Sequence, residues 1–519
     1  MISNIDLTIM GVYLVIVAGI GVAVSRGTKT EEDLFLGGRS LTWGLIGLSL
    51  FASNISSTTI VGLAGAAYTS GVVNSVWEFS TGIPFVVLAV VFVPLYLHAR
   101  ITTVPEFLEY RYDRRSRVLF SAVTIVTSIV VDTAGGLYAG AIVLQSFFPG
   151  LPLFETCVAM AVFAGAYTAF GGLKAVVYTD ALQAVILLLG CSALTYLMLD
   201  RIDFSVARLL EAAPEGHFSV IRPLTDDTLP WPGLVFGVPF LGFWYVATNQ
   251  YITQRVLGAK NIQHARWGIM LASILKLTPL FIMILPGAAA LVIFPGLEKG
   301  DLVFPTMVRE VLPVGMVGLV LAGLISAILS SVDSTLNSAS TLIVVDFIKP
   351  KRPDMTSAMS AHYGRISTLL LMVFAALWAP QIANFGGLWD YLQQMFSIIV
   401  PPIVVIFLLG AFDKRGNGHG AFWTLIFGTL IGIVFFALNQ AGLWPLHYLF
   451  NVGLAIALSA TIYFVISRLT APPSQDIIEK FTFKFSMIHQ NNDGPWYKNY
   501  LVHATIVLIL VALNYLVLS

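Results

Sequence analysis

The chain is 519 residues long, 57% hydrophobic and only 11% charged, against roughly 25% charged in an average soluble domain, and its mean hydropathy is +0.85. Twenty-eight Lys and Arg balance twenty-eight Asp and Glu, and no basic run tracks a phosphate backbone, which argues against a nucleic-acid partner. Two cysteines, Cys157 and Cys191, and eight scattered histidines argue against a disulfide framework, an iron–sulfur centre and a Cys-rich zinc site.

A helix needs about twenty apolar residues to cross the hydrocarbon core. Fourteen stretches qualify, near 7–25, 43–68, 74–99, 118–146, 153–171, 178–199, 232–254, 267–293, 314–346, 364–384, 387–411, 420–438, 444–467 and 499–519. The reading is an all-α integral membrane protein with a single transmembrane domain. Its longest hydrophilic pieces, 200–231 and 468–498, are too short to be domains. Arg26 and Lys29 follow the first stretch, the reverse of a cleaved signal peptide, so that stretch is expected to remain a helix. Basic residues gather on the cytoplasmic side of a membrane protein. Counted over alternate loops they divide 22 to 5, with Lys276 inside a span. That division predicts both termini outside a cytoplasmic membrane.

Ionisable residues at membrane depth mark a pathway or a site, and here they are Glu78, Asp132, Asp180, Lys276, Asp333, Asp346 and Asp390. Asp180, Asp346 and Asp390 stand near span ends, where a carboxylate reaches the interface. Two spans are interrupted. The second reads Ala52-Ser53-Asn54-Ile55-Ser56-Ser57-Thr58-Thr59, and the seventh reads Gly237-Val238-Pro239-Phe240-Leu241-Gly242 before Tyr245. Hydroxyl and amide side chains compete with the helical ladder, and proline removes a donor from it. Broken helices at matching places of two five-span halves point to a secondary transporter built from inverted repeats, here about 43–199 and 232–411, with peripheral helices at 7–25 and 420–519. Close packing of small residues is the rival reading.

In the ninth span Ser330 and Ser331 follow Ala327 by three and four residues, so two hydroxyls and a carbonyl share one helical face. Such an uncharged oxygen cluster suits Na⁺ better than Ca²⁺. Back-bonding of the hydroxyls to the preceding turn is the alternative.

These residues resemble the solute:sodium symporter family, in its sodium/glucose cotransporter branch. The matching stretches are Leu34-Phe35-Leu36-Gly37-Gly38-Arg39-Ser40, Ala52-Ser53-Asn54-Ile55-Ser56, Gly171-Gly172-Leu173-Lys174-Ala175-Val176-Val177-Tyr178-Thr179-Asp180, Asn249-Gln250-Tyr251-Ile252-Thr253-Gln254-Arg255 and Leu336-Asn337-Ser338-Ala339-Ser340-Thr341. The resemblance implies a LeuT-type core of ten helices, spans two to eleven, with one extra helix before and three after. It implies a sodium site at Ala52, Ile55, Ala327, Ser330 and Ser331. It also implies a second sodium site at Asp180, Ser330 and Ser334. Sugar contacts fall at Asn54, Glu78, Lys276 and Gln393, with Thr59 beside them, Tyr245 as gate and Trp77 in the outer lid. Three positions depart from the family pattern: Gly242 replaces a sugar-binding asparagine found in a bacterial relative, Val246 follows the gate tyrosine where tryptophan is frequent, and Asp333 replaces a hydroxyl residue. With Asp180 nearby, Asp333 would place two carboxylates in a second sodium or proton site.

The expected function is Na⁺-coupled symport of a monosaccharide or polyol, with Na⁺ as the co-transported ion and no enzymatic activity. Amide, carboxylate and ammonium groups together satisfy a ring of sugar hydroxyls. A purely structural Glu78–Lys276 pair is the rival at those positions, and helix-packing glue is the rival for Gln393. Sialic acid, an amino acid or another organic solute is the alternative cargo, and a sugar sensor or an uncoupled channel is the alternative of another class.

Overall fold

The computed structural model describes residues 2–25, 32, 36–168, 173–352, 354–385, 388–490 and 495–519. Leu34, Phe35, Gly171 and Gly172 of the family motifs fall outside the described residues, as do the side chains of Ser330 and Asp390.

Every described regular element is helical. The first half comprises α1 (Asn4–Ser25), α2 (Trp43–Asn54), α3 (Ser57–Ser70), α4 (Val72–His98), α5 (Val104–Arg111), α6 (Arg114–Phe147), α7 (Leu153–Thr168), α8 (Leu173–Asp200) and the surface helix α9 (Val206–Ala212). There follow α10 (Trp231–Thr248), α11 (Gln250–Leu257), α12 (Ile262–Ile293), α13 (Val303–Val311), α14 (Met316–Leu342), α15 (Ser357–Trp378) and α16 (Leu388–Phe412). The chain ends with α17 (Gly418–Gln440), α18 (Tyr448–Leu469), α19 (Gln475–Phe481) and α20 (Tyr500–Val517).

Among the described residues ten helices are long and apolar enough to cross a membrane, or eleven with the bent pair α2 and α3 taken as one. Three shorter apolar runs, Asn4–Val17, Leu153–Val162 and Met316–Ile325, coincide with the remaining expected stretches. Large apolar side chains such as Leu189, Phe374 and Leu516 lie on the outside, which is the surface a lipid environment calls for.

Between helices in lipid, close approach depends on small residues. A Cβ on Gly65 would stand 2.4 Å from the carbonyl oxygen of Gly300, and one on Gly287 would stand 2.5 Å from that of Ala64. These two glycines let α3 touch backbone to backbone on both α12 and the segment leading into α13.

The connecting segments tie to one another in a sided way. Asp6 accepts from the backbone of Gly315 and Gly318, and Val72 and Val220 donate to His217 and Leu518. In the other set, Arg39 donates to the carbonyls of Leu257, Arg100 and Ile101. There too Arg266 reaches Met487 and Gln490, and Arg111 reaches Gly410, Asp413 and Gly416. Each contact joins segments to which the charge count gives the same side.

The structure corrects two expectations. In the seventh stretch Gly237 makes a kink through which bonding continues, because Pro239 sits at the start of a helical turn where its missing N–H costs little. The backbone breaks seven residues after the expected run, at Asn249 (φ −72°, ψ 125°). Asp180 and Asp346 do not reach an interface; both are buried and ion-paired, to Arg255 and Arg117 respectively.

Candidate substrate and cation site

The second stretch breaks where its polar run predicts. Helix α2 ends at Asn54, Ile55 takes φ −101° and ψ 74°, and Ser56 is extended at φ −78° and ψ 173° before α3 begins. The Ile55 amide still donates to Phe51, so the carbonyls that a helix end frees are those of Ala52 to Ile55. Thr59 Oγ1 donates to one of them, the Asn54 carbonyl, at 3.2 Å. Ala52, Ile55 and Ala327 are all buried.

Beside this break lies a cavity of about 860 Å³, its open mouth included. It gathers the expected solute and gate residues from five separate places in the chain: Asn54 and Thr59 at the break, Trp77 and Glu78 on α4, Tyr245 on α10, Lys276 on α12 and Gln393 on α16. Ser331 and Thr335, one turn apart on α14, close another wall, so part of the expected sodium set adjoins the solute set.

Lys276 Nζ donates to both Asn54 Oδ1 and Glu78 Oε2. The ammonium and the carboxylate are almost wholly enclosed, with 2% and 5% of their side chains exposed, so each charge needs the other. The ion pair also forms part of the cavity wall. Spare hydrogen-bonding capacity remains: Asn54 Nδ2 is buried without an acceptor among the described residues, and Gln393 spends none of its amide on a neighbour there. Aromatic rings supply the apolar walls. Trp77 and Trp389 meet edge to face with centroids 6.1 Å apart, Trp244 and Phe396 lie 4.7 Å apart, and the hydroxyls of Tyr245 and Tyr251 are joined at 2.6 Å. Gly242 also lines the cavity. A Cβ there would approach Pro84 at 3.2 Å, so the missing side chain keeps this corner tight and without a donor.

The structure adds a residue that the sequence placed in a loop. Arg255, at the end of α11, is buried; its Nη2 lies 3.0 Å from Asp180 Oδ2 and 3.1 Å from Ser334 Oγ. Ser49 and Ser53 also donate to Asp180. A guanidinium therefore stands where the second cation was expected, between Asp180 and Ser334. Asp333 is buried as well. Since Ser331 and Thr335 face the cavity, Asp333 points roughly 160° away from them around α14, at 100° per residue.

Residues 34–428 match the family described as the sodium:solute symporter family. The sodium/myo-inositol cotransporter 2 of Oryctolagus cuniculus is 34% identical over 535 residues, covering 92% of this chain and 78% of its own length. The sodium/glucose cotransporter 4 of Danio rerio is 32% identical over 531 residues, covering 92% of this chain and 80% of its own. Among solved structures, a Na⁺-coupled sialic acid symporter in a substrate-bound outward-open state shares the fold with a TM-score of 0.78 at 22% identity, covering 91% of this chain and 99% of its own. Mhp1, a nucleobase-cation-symport-1 family transporter, follows with a TM-score of 0.60 at 13% identity, covering 87% and 99%.

Proposed function

The chain belongs to the sodium:solute symporter family, and on that premise we propose that it carries a neutral monosaccharide or polyol across a cytoplasmic membrane together with Na⁺. The observation that carries the solute class is Lys276, held by Glu78 and Asn54 on the wall of a cavity that adjoins the broken helix. Ammonium, carboxylate and amide side by side supply the donors and acceptors that a polyhydroxylated ring needs, and the tryptophan and tyrosine faces cover its C–H surface. Relatives named for myo-inositol and glucose cotransport support the same class.

In this reading Na⁺ binds the carbonyls of Ala52, Ile55 and Ala327 and the hydroxyls of Ser330 and Ser331. The ion would then tie α2 to α14. Ile55 follows Asn54 directly, so fixing its carbonyl also fixes the solute-binding amide one residue away; this is the structural route for coupling. Tyr245 and Trp77 are the gates on the two sides of the solute. The subsite of Asp180, Ser330, Asp333 and Ser334 takes a second Na⁺ or a proton only when Arg255 swings off Asp180. One charge crossing 100 mV gains about 2.3 kcal/mol, and a tenfold Na⁺ gradient adds about 1.4 kcal/mol. Together they sustain about 500-fold accumulation per ion.

The topology proposed for this cycle has fourteen crossings, with the two repeats at 43–199 and 232–411 and both termini outside. The sided loop contacts support it. Uptake of labelled glucose and myo-inositol into proteoliposomes, with Na⁺ or K⁺ outside, tests the function. Na⁺-driven accumulation above the external concentration is expected; equal uptake in K⁺ would overturn it.

A further inference from the structure

One carboxylate in the cavity has no task in this scheme. Asp132 lies in a π-turn of α6, Ser128–Thr133, an irregularity that recurs at functional sites. It lines the same cavity as Lys276 and Gln393, as does Gly136 one turn later. Among the described residues its carboxyl group makes no ion pair and receives no hydrogen bond. The cations nearby are engaged elsewhere, Lys276 by Glu78 and Arg255 by Asp180. Of its phenolic neighbours, Tyr391 donates to the Val130 carbonyl, and Tyr245 and Tyr251 share one hydrogen bond with each other. Asp132 is half-buried, and its open side is the solute's volume, where a carboxylate is free to take donors from a bound molecule. Counted by formal charge over the lining side chains, Glu78 and Lys276 cancel and Asp132 is left over as one unbalanced acidic group.

We propose that Asp132 is a specificity-determining residue of the solute site: its carboxyl oxygens accept hydroxyl hydrogens from a neutral polyol, and its charge rejects solutes that carry a carboxylate. The proposal rests on the sugar or polyol reading given above. It departs from simple packing because it predicts selectivity by charge.

The test uses the full chain in lipid nanodiscs at saturating Na⁺, with glucose, myo-inositol and glucuronate as probes and dissociation constants from calorimetry or tryptophan fluorescence. Wild type is expected to bind glucuronate at least about tenfold more weakly than glucose, a result that needs no variant to fold. Asp132→Asn and Asp132→Ala should each weaken glucose and myo-inositol by about tenfold or more, and Asp132→Asn should narrow the gap to glucuronate. A wild type indifferent to the added carboxylate, or variants that keep the wild-type preference, overturns the proposal. A shift in Na⁺ affinity without solute, with solute preference unchanged, also overturns it, since the carboxylate would then hold the ion. A wild type that binds Na⁺ but neither neutral probe instead removes the solute class on which the proposal rests.

Discussion

Arg255 and Asp180, 75 residues apart in the chain, are joined at 3.0 Å in a site where both side chains are 1% exposed. Removing one partner of a buried pair leaves an uncompensated charge, at a cost of about 3–5 kcal/mol. Arg255→Gln alone is therefore expected to lower thermal stability in detergent, and Asp180→Asn in the same chain to restore much of it. In Arg255→Gln protein that does fold, Asp180 has lost its counter-charge, so Na⁺ takes the vacated place. The Hill coefficient for Na⁺ should then rise from near one to above one. A coefficient unchanged in both this variant and Asp333→Ser leaves the second cation subsite without support.

Ser331 faces the cavity from α14 and is assigned to an uncharged Na⁺ site. Ser331→Ala removes one oxygen of five and should raise the Na⁺ concentration for half-maximal uptake, with thermal stability nearly unchanged. Titration of uptake against Na⁺ checks it. A serine spent only on its own helix would leave the curve where it was.

Lys276 and Gln393 separate stability from affinity. Lys276→Ala strands Glu78 in the interior and should cost both folding stability and solute binding; adding Glu78→Gln should return stability without returning affinity. Gln393→Ala disturbs no hydrogen bond among the described residues. It should weaken solute binding by about 1–3 kcal/mol and leave the melting temperature in place. Calorimetry with glucose beside a thermal melt reads the two effects apart.

The segment 200–231 is pinned to the start of α18 by His447. Its Nδ1 accepts from the Leu449 amide and its Nε2 lies 3.1 Å from the Asp227 carbonyl, an arrangement that uses the neutral ring. Burial is the largest cause that pushes its pKa down to about 4. The unfolded chain then takes up the proton first, so the stability this histidine contributes is complete above about pH 6.5 and is lost as pH falls toward 4. His447→Asn keeps a capping oxygen and removes the titration. The difference in melting temperature between wild type and this variant should accordingly change between pH 7 and pH 4.5; a constant difference would count against the linkage.

Apolar length made the helices legible in the sequence, and the Ser, Asn and Thr run at 52–59 made the break between α2 and α3 legible, since those side chains compete with the ladder locally. Glu78 and Lys276 stood out as ionisable residues at membrane depth, but their grouping with Asn54 and Gln393 came from the family resemblance, because nothing in residue spacing brings the four together. Arg255 was missed for a physical reason: hydropathy sees a charge at a span end and assigns it to water. Only the tertiary contact with Asp180 shows that protein, not solvent, surrounds it. Asp346, on Arg117 and Ser121, hid in the same way. The break at Asn249 escaped because proline and glycine drew attention to Gly237, where helical bonding persists.

The adjacency of Asn54 and Ile55 has a thermodynamic corollary. If Na⁺ at the Ile55 carbonyl increases solute affinity at Asn54 by some factor, the solute must increase Na⁺ affinity by that same factor. A titration of Na⁺ with and without saturating solute therefore measures the coupling without any transport assay. The same reciprocity sets an upper limit on what the break can do: a solute that leaves the Na⁺ dissociation constant unmoved has gained nothing from the ion at equilibrium, however well it fills the cavity.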